Sequence, residues 1–248
     1  MQNNKRHLYR PERVNTADYK PRLFNFLSVM ANGILAGMVF SLGAATYLSV
    51  DNKPLGAAIF SASLFVIFYY GFGFYTSKVG YCFNQNKQQN FALIPIWVGN
   101  VLGAIITGLL FFLLREDYVY KIFSRANQIC GAKLENNPLS IIVSAVFCGF
   151  LMFLAVDSFK NAKNILQKHL VPFFTIMIFL VCEFDHFVSG TFFFAVADAI
   201  SIKSIWYILL MTLGNSIGAV IIPLSHKGIK ALKELAKNSV GVSNRIFE

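Results

Sequence analysis

Gly99-Asn100-Val101-Leu102-Gly103-Ala104 and Gly214-Asn215-Ser216-Ile217-Gly218-Ala219 share one pattern, G-N-x-x-G-A, at a spacing of 115 residues. Each copy lies inside a long apolar run. The same shift carries Thr76 onto Thr191, and carries Leu23, where the first apolar run starts, onto Pro138, where the fourth starts. It also overlays the second and fifth runs, and both of these are interrupted by glycine and polar residues. A six-residue match alone is weak. A match that also aligns two interrupted runs predicts an internal repeat. Each repeat holds three runs, an odd number, so two repeats crossing a membrane face opposite ways. Inverted repeats of this kind put their functional centre near the midplane, where the broken helices meet.

Composition supports a membrane solvent. Of the 248 residues, 56% are hydrophobic and 14% charged, and 26 are Phe. A soluble domain carries about 25% charged residues. A spanning helix needs roughly 20 apolar residues, so six spans plus loops fit this length. The spans are expected over about 23–50, 55–83, 90–114, 138–159, 170–199 and 206–224. Residues 1–22 read as a basic tail with no cleavable signal peptide, 115–137 as a charged connection, and 225–248 as a C-terminal piece. The repeats then cover about 23–115 and 138–224. In Lys227–Lys237, Ile229, Leu232 and Leu235 share a helical face opposite the lysines, which predicts an amphipathic helix on the membrane surface.

The net charge of +10 resides in tails and loops. Six spans leave 16 Lys and Arg on the side of the two termini and 6 on the other. The positive-inside rule therefore places both termini in the cytoplasm. No basic face with interleaved aromatics lies outside the spans, so nucleic acid is not expected as a partner. Cys82, Cys130, Cys148 and Cys182 form no C-x-x-C pair and read as single buried thiols. Neither a metal nor a cofactor is expected.

The chemistry concentrates in the two interruptions. Irregular backbone at membrane depth occurs only where protein buries it or a wet cavity meets it. The first is Tyr70-Gly71-Phe72-Gly73-Phe74-Tyr75-Thr76-Ser77-Lys78. Thr76 and Ser77 offer hydroxyls and, at a helix start, backbone N–H groups that favour an anion. The second is Glu183-Phe184-Asp185-His186-Phe187-Val188-Ser189-Gly190. A lone buried His is often structural, and a glycine alone can mark a packing kink. Ionisable groups inside a span are costly, so an Asp-His pair in a repeated break reads as functional. Asp185 is expected to hold the imidazole tautomer or favour the charged ring. His titrates near neutral pH, which suits proton-linked movement of weak acids.

These features together resemble the formate/nitrite transporter family over about Lys20 to Leu224. The resemblance rests on Thr76-Ser77 in the second span, Asp185-His186 in the fifth, both G-N-x-x-G motifs, and Lys133 sixteen residues before Gly149. It implies an all-α, aquaporin-like fold of six transmembrane helices in two inverted repeats, with helices 2 and 5 broken. It implies a homopentamer with one pore per protomer, set in membrane lipid. The permeant is a small anion of the formate, nitrite or hydrosulfide class, moving with protons. Phe60, Leu64 and Phe74 match a cytoplasmic hydrophobic constriction, and Phe179 matches the constriction on the far side. His186 matches the central histidine, with Thr76 across the path. Asn215 and, through the repeat, Asn100 match asparagines bracing the breaks. Lys133 matches a cation that draws anions in.

Three departures stand out. Asp185 replaces the family's Glu, and Gly149 and Gly190 stand where polar residues are usual. The polar ring near Lys133 is therefore expected to be thinner and roomier. Two rival readings follow from the same residues. An aquaporin-type pore for neutral solutes shares the architecture, but no N-P-A motif is present. A membrane-embedded enzyme using His186 and Asp185 lacks a nucleophile or metal-ligand cluster, since His7, His169 and His226 lie outside the expected spans.

Overall fold

A computed structural model describes residues 23–114 and 117–246. The basic tail 1–22 lies outside the described residues. The elements are α1 (Leu23–Ser49), α2 (Lys53–Tyr70), α3 (Thr76–Val79), α4 (Lys87–Phe91), α5 (Leu93–Leu113), α6 (Asp117–Glu135), α7 (Pro138–Asn161), α8 (Ile165–Val181), α9 (Phe187–Val196) and α10 (Ile202–Ile246). Five stretches are long and apolar enough to cross a membrane: Asn25–Ser49, Lys53–Tyr70, Lys87–Leu113, Pro138–Asn161 and Ile202–Ala236. The remaining crossing is assembled from α8 and α9, of 17 and 10 residues, which are short separately. The chain is thus an all-α, multi-pass membrane protein of six crossings, and the second and fifth crossings are broken.

Short polar residues start these helices. Asn52 accepts the Leu55 N–H at 3.0 Å, Asn137 accepts that of Leu139 at 2.9 Å, and Asn164 accepts that of Gln167 at 2.8 Å. Each satisfies a donor that the first turn leaves unpaired. Proline follows Asn52 and Asn137 within the first turn of α2 and α7, where its missing N–H costs nothing.

The G-N-x-x-G motifs are packing devices. α1 lies along α5, and α7 lies along α10. A Cβ at Gly103 would sit 2.2 Å from the Ile34 carbonyl oxygen, and one at Gly218 would sit 2.0 Å from that of Val146. Only hydrogen fits, so the backbones approach as small residues allow in membranes.

The repeat changes register within each half. Gly71 and Glu183, 112 residues apart, both adopt positive φ, 69° and 56°. The next residue in each case, Phe72 or Phe184, donates its N–H to the carbonyl of Ile67 or Phe179, at 3.0 and 2.9 Å. Asn32 accepts the Gly73 N–H at 2.9 Å, and Ser144 accepts the Asp185 N–H at 3.0 Å, again 112 apart. The asparagines of the third spans remain 115 apart. Three extra residues therefore lie between the second break and its following span. The ungapped shift of 115 that paired Thr76 with Thr191 is corrected: Thr76 corresponds to Val188, and Phe74 to His186. Thr191 instead bonds the Phe187 carbonyl of its own helix at 2.7 Å.

Two further differences concern the connections. Residues 117–135, expected only as a charged connection, form the 19-residue helix α6. Val119, Ile122, Ala126 and Cys130 make its buried stripe. On the outside of that stripe, Lys121 and Arg125 reach Asp51 at 2.8 and 2.6 Å. Lys121 first, then Arg125, holds the Asp51 carboxyl below the usual carboxylate range. Arg125 also donates to the carbonyls of Leu48 and Val50 at 2.7 Å, closing the end of α1. Lys227–Lys237 is helical as expected, but it continues α10 without interruption through Pro223. Ile229, Leu232 and Leu235 are exposed on it. Of the cysteines, Cys130 and Cys148 are buried, whereas Cys82 is half-buried and Cys182 exposed.

Candidate functional site

The two breaks meet in the middle of the protein, each held by one asparagine. Asn100 accepts the Tyr75 N–H at 2.8 Å and donates to the carbonyls of Gly73 at 2.8 Å and Gly33 at 2.9 Å. Asn215 accepts the Phe187 N–H at 3.1 Å and donates to those of Asp185 at 2.8 Å and Ala145 at 2.9 Å. Both side chains are fully buried. Each carboxamide ties its break to the first helix of its own half. Without it, two backbone groups of each break, the Tyr75 N–H and Gly73 carbonyl or the Phe187 N–H and Asp185 carbonyl, would lose their partner.

His186 sits at the start of α9 with its ring enclosed by aromatics. Ring centroids lie at 4.6 Å from Phe40, 5.2 Å from Phe187, 5.5 Å from Phe74 and 6.4 Å from Phe179. The stack with Phe74 is nearly parallel, at 8°, and these two residues correspond across the repeat. The Val188 N–H points at Nδ1 at 3.2 Å, so Nδ1 accepts. The neutral ring then carries its proton on Nε2, 3.3 Å from the Thr76 hydroxyl. Asp185 does not set this tautomer, contrary to expectation. Its carboxylate accepts from the Lys133 ammonium, turned away from the imidazole.

Phe60, Leu64 and Phe74 are fully buried, and Phe179 is 1% exposed. Phe60 meets Phe179 edge-on at 5.9 Å. Phe60, expected on one constriction, thus meets Phe179, expected on the other, and Phe74 and Phe179 both neighbour the His186 ring. Phe40 completes the cluster, at 4.9 Å from both Phe60 and Phe74. Sequence reasoning missed Phe40 because one more Phe in an apolar span carries no signal.

A cavity of about 450 Å³ leads to this centre from the side of α6. Tyr47, Lys133, Ser144, Phe179, Asp185 and His186 line it, together with Ser189 and Gly190. Lys53 and Glu183, which also lines the cavity, pair across its rim at 2.8 Å. Lys133 and Asp185 are largely buried, with side chains 16% and 5% exposed. Their charges cancel, so the cavity offers a dipole and the ammonium's remaining N–H donors, not a net cation.

The other expected positions resolve differently. The Ser77 hydroxyl donates to the Phe74 carbonyl at 2.7 Å and does not face His186. The Ser77 and Lys78 N–H groups bond the carbonyls of Phe74 and Tyr75 at 3.2 and 2.9 Å, so they are not free for an anion. Gly149 does not open the cavity. A Cβ there would lie 2.1 Å from the Asn215 carbonyl oxygen, so Gly149 serves the contact of α7 with α10. Gly190 does line the cavity, and a Cβ there meets only the flexible Met211 side chain, at 2.7 Å.

Comparison with known proteins agrees with this architecture. No curated protein matches the sequence. One solved structure, a pentameric formate channel with formate bound, superposes with a TM-score of 0.69 at 20% identity, covering 84% of this chain and 98% of that one. Another, an FNT family ion channel, gives 0.64 at 21% identity, covering 81% and 87%. At these identities they establish the fold. The family model described as Formate/nitrite transporter matches residues 12–225, which takes in both breaks, both asparagine clamps and Lys133. With most of its length matched, the chain belongs to the formate/nitrite transporter family, a family of transporters and not of enzymes.

Proposed function

We propose that this protein is a channel-like, proton-linked pathway for small monovalent weak-acid anions of the formate, nitrite or hydrosulfide class. One observation carries the reading: His186, its Nε2 proton directed at Thr76, ends the cavity that Lys133, Asp185 and Ser144 line and is otherwise enclosed by Phe40, Phe74, Phe179 and Phe187. A bare anion entering such a ring loses its hydration at great cost, whereas the neutral acid pays far less. The permeant enters the α6-side cavity, is oriented by the Lys133 donors and the Ser144 hydroxyl, and crosses the aromatic centre as the neutral acid. His186 and Thr76 supply a side-chain hydrogen-bonding pair at the crossing point.

The pentameric relative supports a homopentamer, each protomer carrying its own path. The charge distribution supports a multi-pass protein of the cell membrane with both termini cytoplasmic, so that the α6-side cavity opens outward.

A neutral-solute pore is the second reading, and the cancelled charge of Lys133 and Asp185 is the observation in its favour. Liposomes containing the protein separate the two. The account expects swelling and uptake with formate, nitrite and hydrosulfide, rising as pH falls, and little with glycerol. Glycerol permeation without weak-acid permeation would replace the first reading with the second.

A further inference from the structure

The first break has a cavity of its own. It measures about 330 Å³ and lies between α1, the first break and the segment 85–96. Asn32, Gly73, Lys78, Gln85 and Gln89 line it. No carboxylate does, and among the described residues Lys78 has no ion-pair partner. Where the second half sets Asp185 beside Lys133, the corresponding position in the first half is Gly73, which has no side chain. Lys78 therefore faces this cavity, whose walls also include Val29, Ala92 and Ile96, without a counter-charge. The buried Gln85 Oε1 also lacks a partner among the described residues. A second ammonium lies nearby: Lys160 donates to the Ser77 carbonyl at 3.4 Å, one residue from Lys78, and sits over the Tyr81 ring, whose hydroxyl donates to Asp157.

An uncompensated ammonium in a span is costly, and such groups pair with a ligand or a counter-ion. A carboxamide turned about its last bond presents two N–H donors in place of its oxygen. From this pairing we infer that the cavity beside the first break is a second anion site, in which Lys78 and Gln85 hold one small monovalent anion on the α4 side of the protein. The inference deepens the proposed function and rests on it for the identity of the anion as formate. In that role the site would load the path from the side opposite to the Lys133 cavity.

The test uses the full chain, Lys78→Gln, and formate. Binding of carbon-13 formate to the purified protein is read by line broadening. Uptake is measured in vesicles of each orientation. The site predicts that K78Q raises the half-saturating formate concentration about tenfold from the α4 side, as loss of a charge-assisted hydrogen bond does. It predicts no change from the α6 side, and recovery in Lys78→Arg. Equal half-saturation from both sides in wild type and K78Q would overturn it. If K78Q fails to assemble, Gln85→Leu serves, with about a threefold rise expected and no rise overturning the site. Should the protein not conduct formate at all, the function reading fails. The binding experiment then decides the site alone: broadening lost in K78Q keeps it, and broadening equal to wild type overturns it.

Discussion

The two breaks share one backbone and differ in what it carries. Both end their first helix at a residue of positive φ, Gly71 or Glu183, and both hang from one asparagine. At corresponding positions the first break has Gly73, Phe74, Tyr75 and Thr76, and the second has Asp185, His186, Phe187 and Val188. The scaffold is thus symmetric and the chemistry is not. The acidic and imidazole groups of the loop concentrate in the second half, and the first half supplies the Phe74 ring, the Thr76 hydroxyl that meets His186, and Lys78. A symmetric frame brings two unlike surfaces to one point, where Phe74 stacks on His186.

If the frame is symmetric, Asn100→Ala and Asn215→Ala should do equal damage, and the most. Each leaves two backbone groups of its break unpaired, at about 1–3 kcal/mol per group, so neither variant should survive extraction as a folded assembly in size-exclusion chromatography. A mild effect of one with a severe effect of the other would break the symmetry.

The asymmetry predicts the next effect. Asp185→Asn leaves Lys133 buried and unpaired, at a cost of about 3–5 kcal/mol. A thermal melt in detergent should show the loss, and adding Lys133→Met should restore most of it. No recovery in the double variant would mean that the carboxylate acts on something other than Lys133.

Gly149→Ala and Gly37→Ala probe the close approach in the two halves. A Cβ would lie 2.1 Å from the Asn215 carbonyl oxygen in one and 2.3 Å from that of Asn100 in the other. Each should lose about 1–3 kcal/mol by overpacking, whereas Gly190→Ala, against Met211, should melt near wild type. The smallest effect expected is Glu183→Gly. Relief of the positive φ should raise stability by about 1 kcal/mol, offset in part by loss of the exposed pair with Lys53, worth about 0–1 kcal/mol.

Much of this was legible in the sequence, because membrane helices announce themselves by length and apolar content and the breaks by Gly and charge. The repeat was legible in G-N-x-x-G, whose spacing a close helix contact enforces. Its register was not. Three residues inserted after the second break leave no mark that composition can show, and only paired hydrogen bonds reveal that Phe74, and not a residue three positions earlier, stands opposite His186. The helix α6 was obscured by its charges, although Val119, Ile122, Ala126 and Cys130 carry a helical stripe. The pairing of Lys133 with Asp185 joins residues 52 positions apart through tertiary packing, which no local pattern announces. At Gly149 the sequence shows only a missing polar side chain, whereas the Asn215 carbonyl oxygen packed against it gives the reason for its size.

The central claim is that His186 makes the second break the chemical half of the path. Exchanging it for its counterpart, His186→Phe, gives the second break the ring of the first. Formate uptake into liposomes, measured from about pH 5 to pH 8, tests the claim directly. The expected result is a rate at least tenfold lower across that range in the variant, with assembly intact. An unchanged rate would contradict the claim.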